Sequence, residues 1–502
     1  MESGIRTIKS KINETIILKG DLAGHNPKYV YLAENKNFLL VSDSITELLD
    51  CDKVKKPLKI NESSLSFLLQ SAVVPPPRTI YENIFILSIG DTLKVECKNG
   101  KFNLTFSHQF PFMDKYRDEN QTEPKYDEIL SLITSATLSR LDNKRESFLF
   151  HSAGKDSNTI ALALAESGLQ DKFTLVTHRS EKGGDESEIS KKIAKKLGFK
   201  HQILKEEEKI DFNYQNQIED FFRNSPFPCV DNVTLAYPLY SLQMPQLSKS
   251  NLIFGDGNDS HMLSPLDRRQ RLFLPFSRGL SNFSGFRDSL NSESTLVPFF
   301  RTPAELFGMT GLTYKDSLRV YPSSCSVYQY WKSESDKRSS YSGTELKSDI
   351  YATRSISERM IRKLYNFADY VESNAILPFA DSEVAKYFGK IPKRYLLNEK
   401  TLENKLILRK LLMDKMDLDS NKIGKMGWSF DSRGIVLKNK EIIYAEVCNC
   451  KYWDSVELNL LLNRLYKNIG LNSRKGIVSA SLIYRVYLIS LWLNHSKYIR
   501  AQ

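Results

Sequence analysis

The feature that most constrains the fold is an alternation of short apolar runs with helix-like segments in the middle of the chain. Apolar runs at residues 147–150, 173–176 and 201–204 are separated by helical patterns at 159–166 and 186–197. Strands that alternate with helices of this length predict a parallel, doubly wound sheet. A further apolar run begins at Leu252 and is expected to be another strand of this sheet.

The chain before this region has a different pattern. Short apolar runs and turn residues predict a β-rich first domain, with strands at 29–32, 38–41, 84–87 and 92–95 and a hairpin turn at 98–100. Residues 111–125 are polar and predict a linker, followed by a helix at 126–141. The sequence thus predicts two domains, residues 1–120 and 121–502, with helical and irregular structure from 263 onward.

Composition excludes few classes of protein. Hydrophobic residues make up 41% and charged residues 26% of the chain, as in ordinary soluble proteins. The net charge of +11 suits an anionic partner such as ATP, a phosphorylated substrate or RNA.

The six cysteines lack zinc-type spacing, which predicts a reduced, cytoplasmic protein. Residues 477–493 are apolar but short and interrupted by Arg485, so a core helix is predicted there instead of a membrane span.

One candidate site is the small-residue turn that follows the apolar run at 147–150. The turn opens a helix, and backbone N–H groups at a helix N-terminus bind phosphate. Ser152 and Ser157 could donate hydroxyl hydrogens to a pyrophosphate, whereas Asp156 would repel it unless a divalent cation lay between them. The turn therefore predicts Mg²⁺. An ordinary strand-to-helix turn with Asp156 as a cap is the alternative.

A second candidate loop follows the run that begins at Leu252. It contains Gly255, Asp256 and Asp259. Ligands of open α/β sheets bind beyond the carboxyl ends of the strands, so we expect both loops to face one crevice that holds a metal and a nucleotide. The alternative is a polar turn whose aspartates cap backbone groups.

These loops resemble those of a known family. The segment from Ser152 to Ser157 (SAGKDS) resembles the SGGxDS loop of N-type ATP pyrophosphatases, with Ala153 in place of a glycine. The segment from Gly255 to Asp259 (GDGND) resembles the GDGxDE loop of asparagine synthetases, although Ser260 and His261 depart from it.

Three later segments continue the likeness. Residues 377–382 (LPFADS) resemble the family's PFLD segment, 405–409 (KLILR) resemble its KxxLR helix, and 425–427 (KMG) resemble its lysine-glycine loop. Their order and rough spacing agree over residues 126–430.

The resemblance implies an ATP-dependent, AMP-forming amide ligase with Asp156 and Asp259 on Mg²⁺. It implies a phosphate-binding group made of Ser152, Ala153, Gly154, Lys155, Asp156 and Ser157. Val176 and Gly255 would border adenosine, and Lys425 would meet the reacting phosphate or acyl group. Asp256 could accept a proton from the attacking amine.

The first domain resembles only part of the family's glutaminase domain. Residues 74–90 are similar to its later portion, but the chain begins Met1-Glu2 and has no cysteine before Cys51, whereas the family uses an N-terminal cysteine to attack glutamine. The fold class implied is an α+β, inactive glutaminase-like remnant followed by an α/β synthetase domain with helical C-terminal additions. The amine would be ammonia, a second substrate or part of the carboxylate substrate itself.

Several functions stay open. Relatives without glutaminase activity include lasso-peptide cyclases and β-lactam synthetases, and Asp256 stands where the β-lactam formers carry tyrosine. The isoelectric point near 9.0 also suits a PP-loop enzyme that modifies tRNA, and Ala153 and Ser260 suit a non-catalytic partner subunit. Expected partners are a carboxylate substrate, an amine donor and a biosynthetic partner protein, with neither membrane nor nucleic acid. Residues 263–375, rich in basic and aromatic side chains, are a candidate substrate-recognition region.

Overall fold

A computed structural model of the chain describes residues 4–9, 15–118, 123–180, 185–308, 310–423 and 430–499. The protein is of the mixed α/β type and contains a five-stranded parallel sheet. The fold class predicted from the alternating pattern is confirmed at this level.

The N-terminal part contains two antiparallel sheets that face each other. Its elements are β1 (Arg6–Lys9), β2 (Thr15–Lys19), β3 (Lys28–Leu32), β4 (Phe38–Ser42), α1 (Ile45–Asp50), α2 (Glu62–Ser71), β5 (Ile84–Leu87), β6 (Asp91–Lys98), β7 (Lys101–His108) and α3 (Asp114–Asp118). The sheets have the strand orders β1-β4-β3-β5 and β2-β6-β7. Strand β6 alternates buried and more exposed residues, so Leu93, Val95 and Cys97 pack against Val30 of the other sheet.

The remaining elements start after residue 122. They are α4 (Tyr126–Leu138), β8 (Ser147–Phe150), α5 (Lys155–Glu166), β9 (Phe173–Arg179), α6 (Ser187–Leu197), β10 (Lys200–Lys205), α7 (Phe212–Asn224), α8 (Ala236–Gln243), β11 (Asn251–Ile253), α9 (Arg268–Leu280), α10 (Ser284–Ser289), α11 (Pro303–Phe307), α12 (Tyr314–Val320), α13 (Tyr328–Lys337), α14 (Gly343–Ile350), α15 (Arg362–Tyr370), β12 (Asn374–Ile376), α16 (Ser382–Lys390), β13 (Leu397–Asn398), β14 (Glu403–Asn404), α17 (Leu406–Met416), α18 (Ser420–Ile423), α19 (Ser432–Lys438), α20 (Lys440–Cys448), α21 (Ser455–Ile469) and α22 (Arg474–His495). A π-helical segment, Tyr351–Ile361, joins α14 to α15.

The parallel sheet has the strand order β10-β9-β8-β11-β12. Successive residues of each strand enter opposite cores: Phe148 and Phe150 join one apolar cluster, whereas Leu149 joins the other. Helices α4, α5, α6, α16 and α17 contribute to the second cluster, and α7, α8, α15 and α19–α22 to the first. Because both faces are covered at the centre of the sheet, every residue of β8 and β11 is buried, whereas the edge strand β10 is mostly polar and partly exposed.

The first of these clusters also reaches the N-terminal sheet. It includes Tyr29 and Leu40 of β3 and β4 together with Trp492 of α22. Helix α22 is the only helix in the described part of the chain that is long and apolar enough to cross a membrane. Of its most apolar stretch, 78% is buried within the protein. It therefore packs here as a core helix, as the interrupted apolar run predicts.

The interpretation of residues 111–125 as a linker is wrong for the part that the structure describes. Phe110 and Phe112 are buried, and α3 places the fully buried Arg117 against the α/β part. The Arg117 guanidinium donates to the carbonyl oxygens of Phe388 and His261, each at 2.7 Å. Hydrogen bonds to backbone carbonyls, which no sequence pattern displays, stabilise this polar segment.

A buried ring of charged side chains joins the three-stranded sheet to the helical region. Its members are Asp91, His108, Glu334, Arg338, Asp349 and Arg354. His108 lies between two carboxylates, 2.8 Å from Asp91 and 2.9 Å from Asp349. Arg338 pairs with Asp349 at 2.5 Å and with Glu334 at 2.9 Å. Arg354 closes the ring, at 2.9 Å from Asp91 and 3.3 Å from Glu334.

This ring predicts acid sensitivity. Burial would raise the pKa of Glu334, but the adjacent Arg354 and Arg338 outweigh it and lower that pKa to about 2 from an ordinary 4.5. Because the folded pKa is depressed, the ionised carboxylate stabilises the fold above pH 4.5, and this stabilisation is lost as pH falls toward 2. We expect Glu334→Gln to melt at a lower temperature than the parent at neutral pH and to lose less stability across that interval.

Thermal melting followed by circular dichroism between neutral pH and pH 2 measures this effect. Glu34→Gln is the matched control, because Glu34 pairs with Lys55 on the surface. An unchanged acid slope in Glu334→Gln would contradict the prediction.

Candidate functional site

The two loops singled out in the sequence meet at one cleft of about 410 Å³. The first follows β8 and leads into α5, and the second follows β11. Strands β8 and β11 are neighbours, and the strand order reverses between them. A crevice at such a reversal is where open α/β sheets bind ligands.

Two glycines allow these segments to touch. A Cβ atom on Gly255 would lie 3.2 Å from the Ser157 nitrogen, so a larger residue would push the second loop away from α5. Gly257 has a φ of +108° and would place a Cβ 2.6 Å from the Cβ of Ala380. The segment at 377–382 therefore supports the second loop directly.

The turn before α5 is held from within by Asn158. The Asn158 amide donates to the carbonyl oxygens of Ser152, at 3.3 Å, and Gly154, at 2.8 Å. Its oxygen lies 3.0 Å from Nε2 of His151. Burial lowers the pKa of His151 to about 4, so the imidazole is neutral at neutral pH. These contacts hold the turn through its carbonyl oxygens and the His151 ring.

Several donors of the turn already have partners. The Ala153 N–H donates to Glu186 at 3.1 Å, and the Gly154 N–H donates to the Ser152 hydroxyl at 3.0 Å. The Ser157 hydroxyl donates to the carbonyl oxygens of Ser152, at 3.1 Å, and Gly154, at 3.2 Å. A phosphate bound here would have to replace some of these contacts.

Asp156 is in the first turn of α5 and accepts two hydrogen bonds. Lys405 Nζ lies 2.5 Å from Asp156 Oδ2, and Asn258 Nδ2 lies 2.7 Å from Asp156 Oδ1. Lys405 is nine-tenths buried and has a left-handed backbone conformation, with a φ of 55°. A positive φ is uncommon in a non-glycine residue, and eight others in the described part of the chain share it.

Two further carboxylates, Asp256 and Asp259, line the cleft. Burial raises the pKa of Asp256, and the nearby Asp259 and Asp156 carboxylates raise it further against the opposing effect of Lys363 and Lys405. No hydrogen bond to Asp256 or Asp259 comes from the described residues. The floor of the cleft thus has an excess of negative charge.

A buried ion cluster also lines the cleft. Asp231 lies 2.8 Å from Lys363 and 3.3 Å from Arg359. Burial would raise the pKa of Asp231, but these two cations lower it overall. Arg359 is in the π-helical segment, which also places Tyr351 in the cleft. π-Helical segments are rare in proteins, and those that occur are often found at functional sites.

The structure brings most of the candidate residues together. Those that line the cleft are Ser152, Gly154, Asp156, Ser157, Gly255, Asp256 and Asp259. Ala153 and Lys155 are buried beside it and do not line it. Lys425 lies outside the described residues.

Val176 is not where the resemblance implies. Its side chain is fully buried in the core on one face of the sheet, and its carbonyl oxygen accepts the His151 N–H at 2.8 Å. It therefore positions the turn instead of lining the cleft.

No protein-family model matches the chain, and no curated protein matches it. The geometry of the cleft therefore supplies the functional argument.

The sequence did not point to several residues of the cleft. They are Asp231, Asn258, Tyr351, Arg359, Lys363 and Lys405. Only Lys405 had a signal, since it begins the segment that resembles the KxxLR helix. Asn258 lies within the second candidate loop, although its own role was not expected, and the others come from a loop, the π-helical segment and helix α15 without a recognisable local pattern.

The carboxylates fit a magnesium ion that is shared with a phosphate ligand. In the part of the chain that the structure describes, no group of three or more His, Cys, Asp or Glu side chains forms a metal-binding cluster. Mg²⁺ is commonly held by one or two carboxylates together with substrate phosphates and water, which requires no such cluster. Asp259 and Asp156 supply carboxylates in one cleft, and Asp156 would have to release Lys405 or Asn258.

Proposed function

We propose that this chain is an ATP-dependent, AMP-forming amide ligase of the asparagine synthetase type that does not take its amine from glutamine. The observation that carries the proposal is the meeting of both strand-end loops at the reversal of strand order. A helix N-terminus, four carboxylates, two lysines and an arginine share that cleft. This combination suits a polyphosphate bound together with a metal ion.

The residues have distinct roles in this proposal. The first turn of α5 and the Ser152 hydroxyl would bind the pyrophosphate portion of ATP. Asp156 and Asp259 would hold Mg²⁺, which neutralises phosphate charge when bound. Lys405, released from Asp156, would lie beside the charge that develops on the reacting phosphate. Lys425 keeps its role at the reacting group as a prediction.

The reaction would begin with attack of a substrate carboxylate on the α-phosphorus of ATP, giving an acyl-adenylate and pyrophosphate. An amine would then attack the acyl carbon and AMP would leave. Asp256, with its raised pKa, would accept the proton of that amine. We propose a cytoplasmic location and a role for the N-terminal sandwich as a glutaminase-like remnant that supports the cleft.

Exchange of labelled pyrophosphate into ATP is the direct test of this function. The full chain, Mg²⁺ and a panel of carboxylates should give exchange with at least one carboxylate and none without it. Binding of Mg-ATP with no exchange across amino acids, sugar acids and peptides would count against the ligase.

Glutamine is expected to be inert. Of the cysteines in the N-terminal part, Cys97 is buried in the sandwich core and Cys51 packs against the larger core, so neither is placed as a nucleophile in a cleft. Incubation of the purified chain with glutamine should release glutamate at the background rate. Release above background, abolished by Cys51→Ser, would contradict this prediction.

Asp256→Asn is expected to lower activity without loss of stability. The folded pKa of Asp256 is raised above its ordinary value of 3.8, so its ionised form opposes folding at neutral pH, and removal of the charge should leave the melting temperature unchanged or higher. Turnover should fall by about 10²-fold, the lower range for loss of a general base. Amide formation and melting temperature are measured together, with Asp142→Asn on the surface as control. A fully active variant would exclude Asp256 as the base.

One observation favours a second candidate, a non-catalytic partner subunit. The Asp156 carboxylate and the Ala153 and Gly154 N–H groups all have partners within the protein. In that case the cleft would be closed to phosphate by its own contacts. Calorimetric titration with Mg-ATP distinguishes the two, since only the ligase binds the nucleotide.

A further inference from the structure

The surface formed by α9, α10 and the turn at Val297–Phe300 exposes several large apolar side chains. We call this surface the α9 face. Its exposed apolar side chains are Leu272 (59% exposed), Phe276 (42%), Phe283 (62%), Phe286 (49%) and Leu296 (46%). Several large apolar side chains exposed together mark an interaction site, whereas scattered ones carry no such meaning.

Ring contacts hold this surface together. The ring centroids of Phe276 and Phe299 are 5.7 Å apart, and those of Phe286 and Phe300 are 4.9 Å apart. The buried Phe273 packs edge-on against the same Phe299 at 4.8 Å. Phe276 and Phe286 are therefore held by neighbouring rings, and a partner that binds to these two side chains would cost little of their side-chain entropy.

The α9 face is also positively charged. Helix α9 contains four arginines and no acidic residue. Arg268, Arg269 and Arg278 are exposed and form no ion pair with the described residues. At the edge of the face, Arg301 and Arg474 lie close to Arg269 and add positive charge, whereas Arg287 is paired with Asp288 at 2.9 Å and with Glu305 at 2.8 Å.

We propose that the α9 face binds an acidic polypeptide segment of a partner protein that also carries apolar side chains. Arginine matches carboxylates through paired N–H donors, and the fixed phenylalanines would take the apolar side chains between them. This binding does not depend on the chemistry of the cleft.

The composition and contacts of the α9 face favour a polypeptide over other anions. Its exposed aromatics are all phenylalanine, whereas tryptophan and tyrosine mark the belts of membrane proteins at the lipid headgroups. The ring of Phe276 contacts Phe299 and that of Phe286 contacts Phe300, which leaves Phe283 as the one exposed ring of this face without such a contact in the described residues, whereas successive bases need a row of free rings. Anionic lipid and RNA are therefore alternatives for the experiment to exclude.

Fluorescence anisotropy with the full chain tests the proposal. The probe is a labelled peptide that alternates glutamate with leucine and phenylalanine. One control peptide has serine in place of the apolar residues, and another has lysine in place of glutamate. We expect saturable binding of the first peptide alone.

The variants are Phe276→Ser with Phe283→Ser, and Arg269→Glu with Arg278→Glu. Each pair should weaken binding by about tenfold or more, as for the loss of hot-spot residues. Leu460→Ser is the matched control, because Leu460 is 59% exposed on α21, like Leu272 on α9. Arg223→Glu, on α7, controls for charge. If a double variant melts early, the single variants Phe283→Ser and Arg278→Glu replace it.

Three results would overturn the proposal. The first is no binding of the acidic-apolar peptide. The second is equal binding of the serine-substituted peptide, which would show unspecific attraction of charge. The third is tighter binding of phosphatidylserine vesicles or an RNA oligonucleotide that competes with the peptide, which would assign the α9 face to those ligands.

Discussion

Replacement of Asp156 by Asn should reduce pyrophosphate release by about 10²-fold or more while the protein stays folded. Asp156 is in the first turn of α5 and lies 2.5 Å from Lys405 and 2.7 Å from Asn258. Asparagine keeps the size of the side chain and its bond to Asn258 but removes the negative charge that a magnesium ion needs. Asp259→Asn should have a similar effect, because Asp259 lines the same cleft.

The measurement is pyrophosphate release at several Mg²⁺ concentrations, with the melting temperature taken alongside. Asp142→Asn is the matched control, since Asp142 is a surface carboxylate paired with Arg145. Lys405→Met adds a second test: it frees Asp156 and should lower turnover while leaving Mg²⁺ affinity intact or improved. Normal turnover of Asp156→Asn with unchanged Mg²⁺ dependence would place the metal elsewhere.

Arg354→Met should destabilise the fold by about 3–5 kcal/mol, the usual cost when one partner of a buried ion pair is removed. Arg354 is buried and pairs with Asp91 of β6 at 2.9 Å and with Glu334 of α13 at 3.3 Å. Methionine fills much of the space but leaves two buried carboxylates with less compensation. The N-terminal sandwich should therefore loosen from the helical region first.

Urea unfolding monitored by circular dichroism, with limited proteolysis of the N-terminal part, measures this effect. Arg319→Met is the control, because Arg319 is exposed and lies 4.0 Å from Glu457, a surface pair worth about 1 kcal/mol or less. The double variant Arg354→Met with Asp91→Asn should regain part of the loss, since it removes one of the two buried carboxylates that lose their contact with Arg354. If Arg354→Met were as stable as Arg319→Met, the ring would not hold these parts together.

Local patterns were sufficient for some of the regular elements, whereas strands β1, β2, β7 and β12 were not predicted. The run at 84–87 is strand β5 with the same bounds, and the Lys98-Asn-Gly100 turn joins β6 to β7 with positive φ at Asn99 and Gly100. The helix expected at 159–166 begins earlier, at Lys155. Its N-cap residue is Gly154, which has no side chain to cap the first turn. That difference places Asp156 and Ser157 on the helix and not in the loop.

By itself the sequence determined four of the five strands of the parallel sheet and the two loops that follow β8 and β11, because these depend on residues close together in the chain. The tertiary structure alone decided which charges meet. Lys405 lies 249 residues from Asp156, and Lys363 lies 132 residues from Asp231. Such pairs depend on how loops and helices from distant parts of the chain pack around the sheet, and no local periodicity encodes that packing. The same reason explains why Val176 belongs to the core: its place on one face of β9 is set by the packing of the sheet, which only the folded chain fixes.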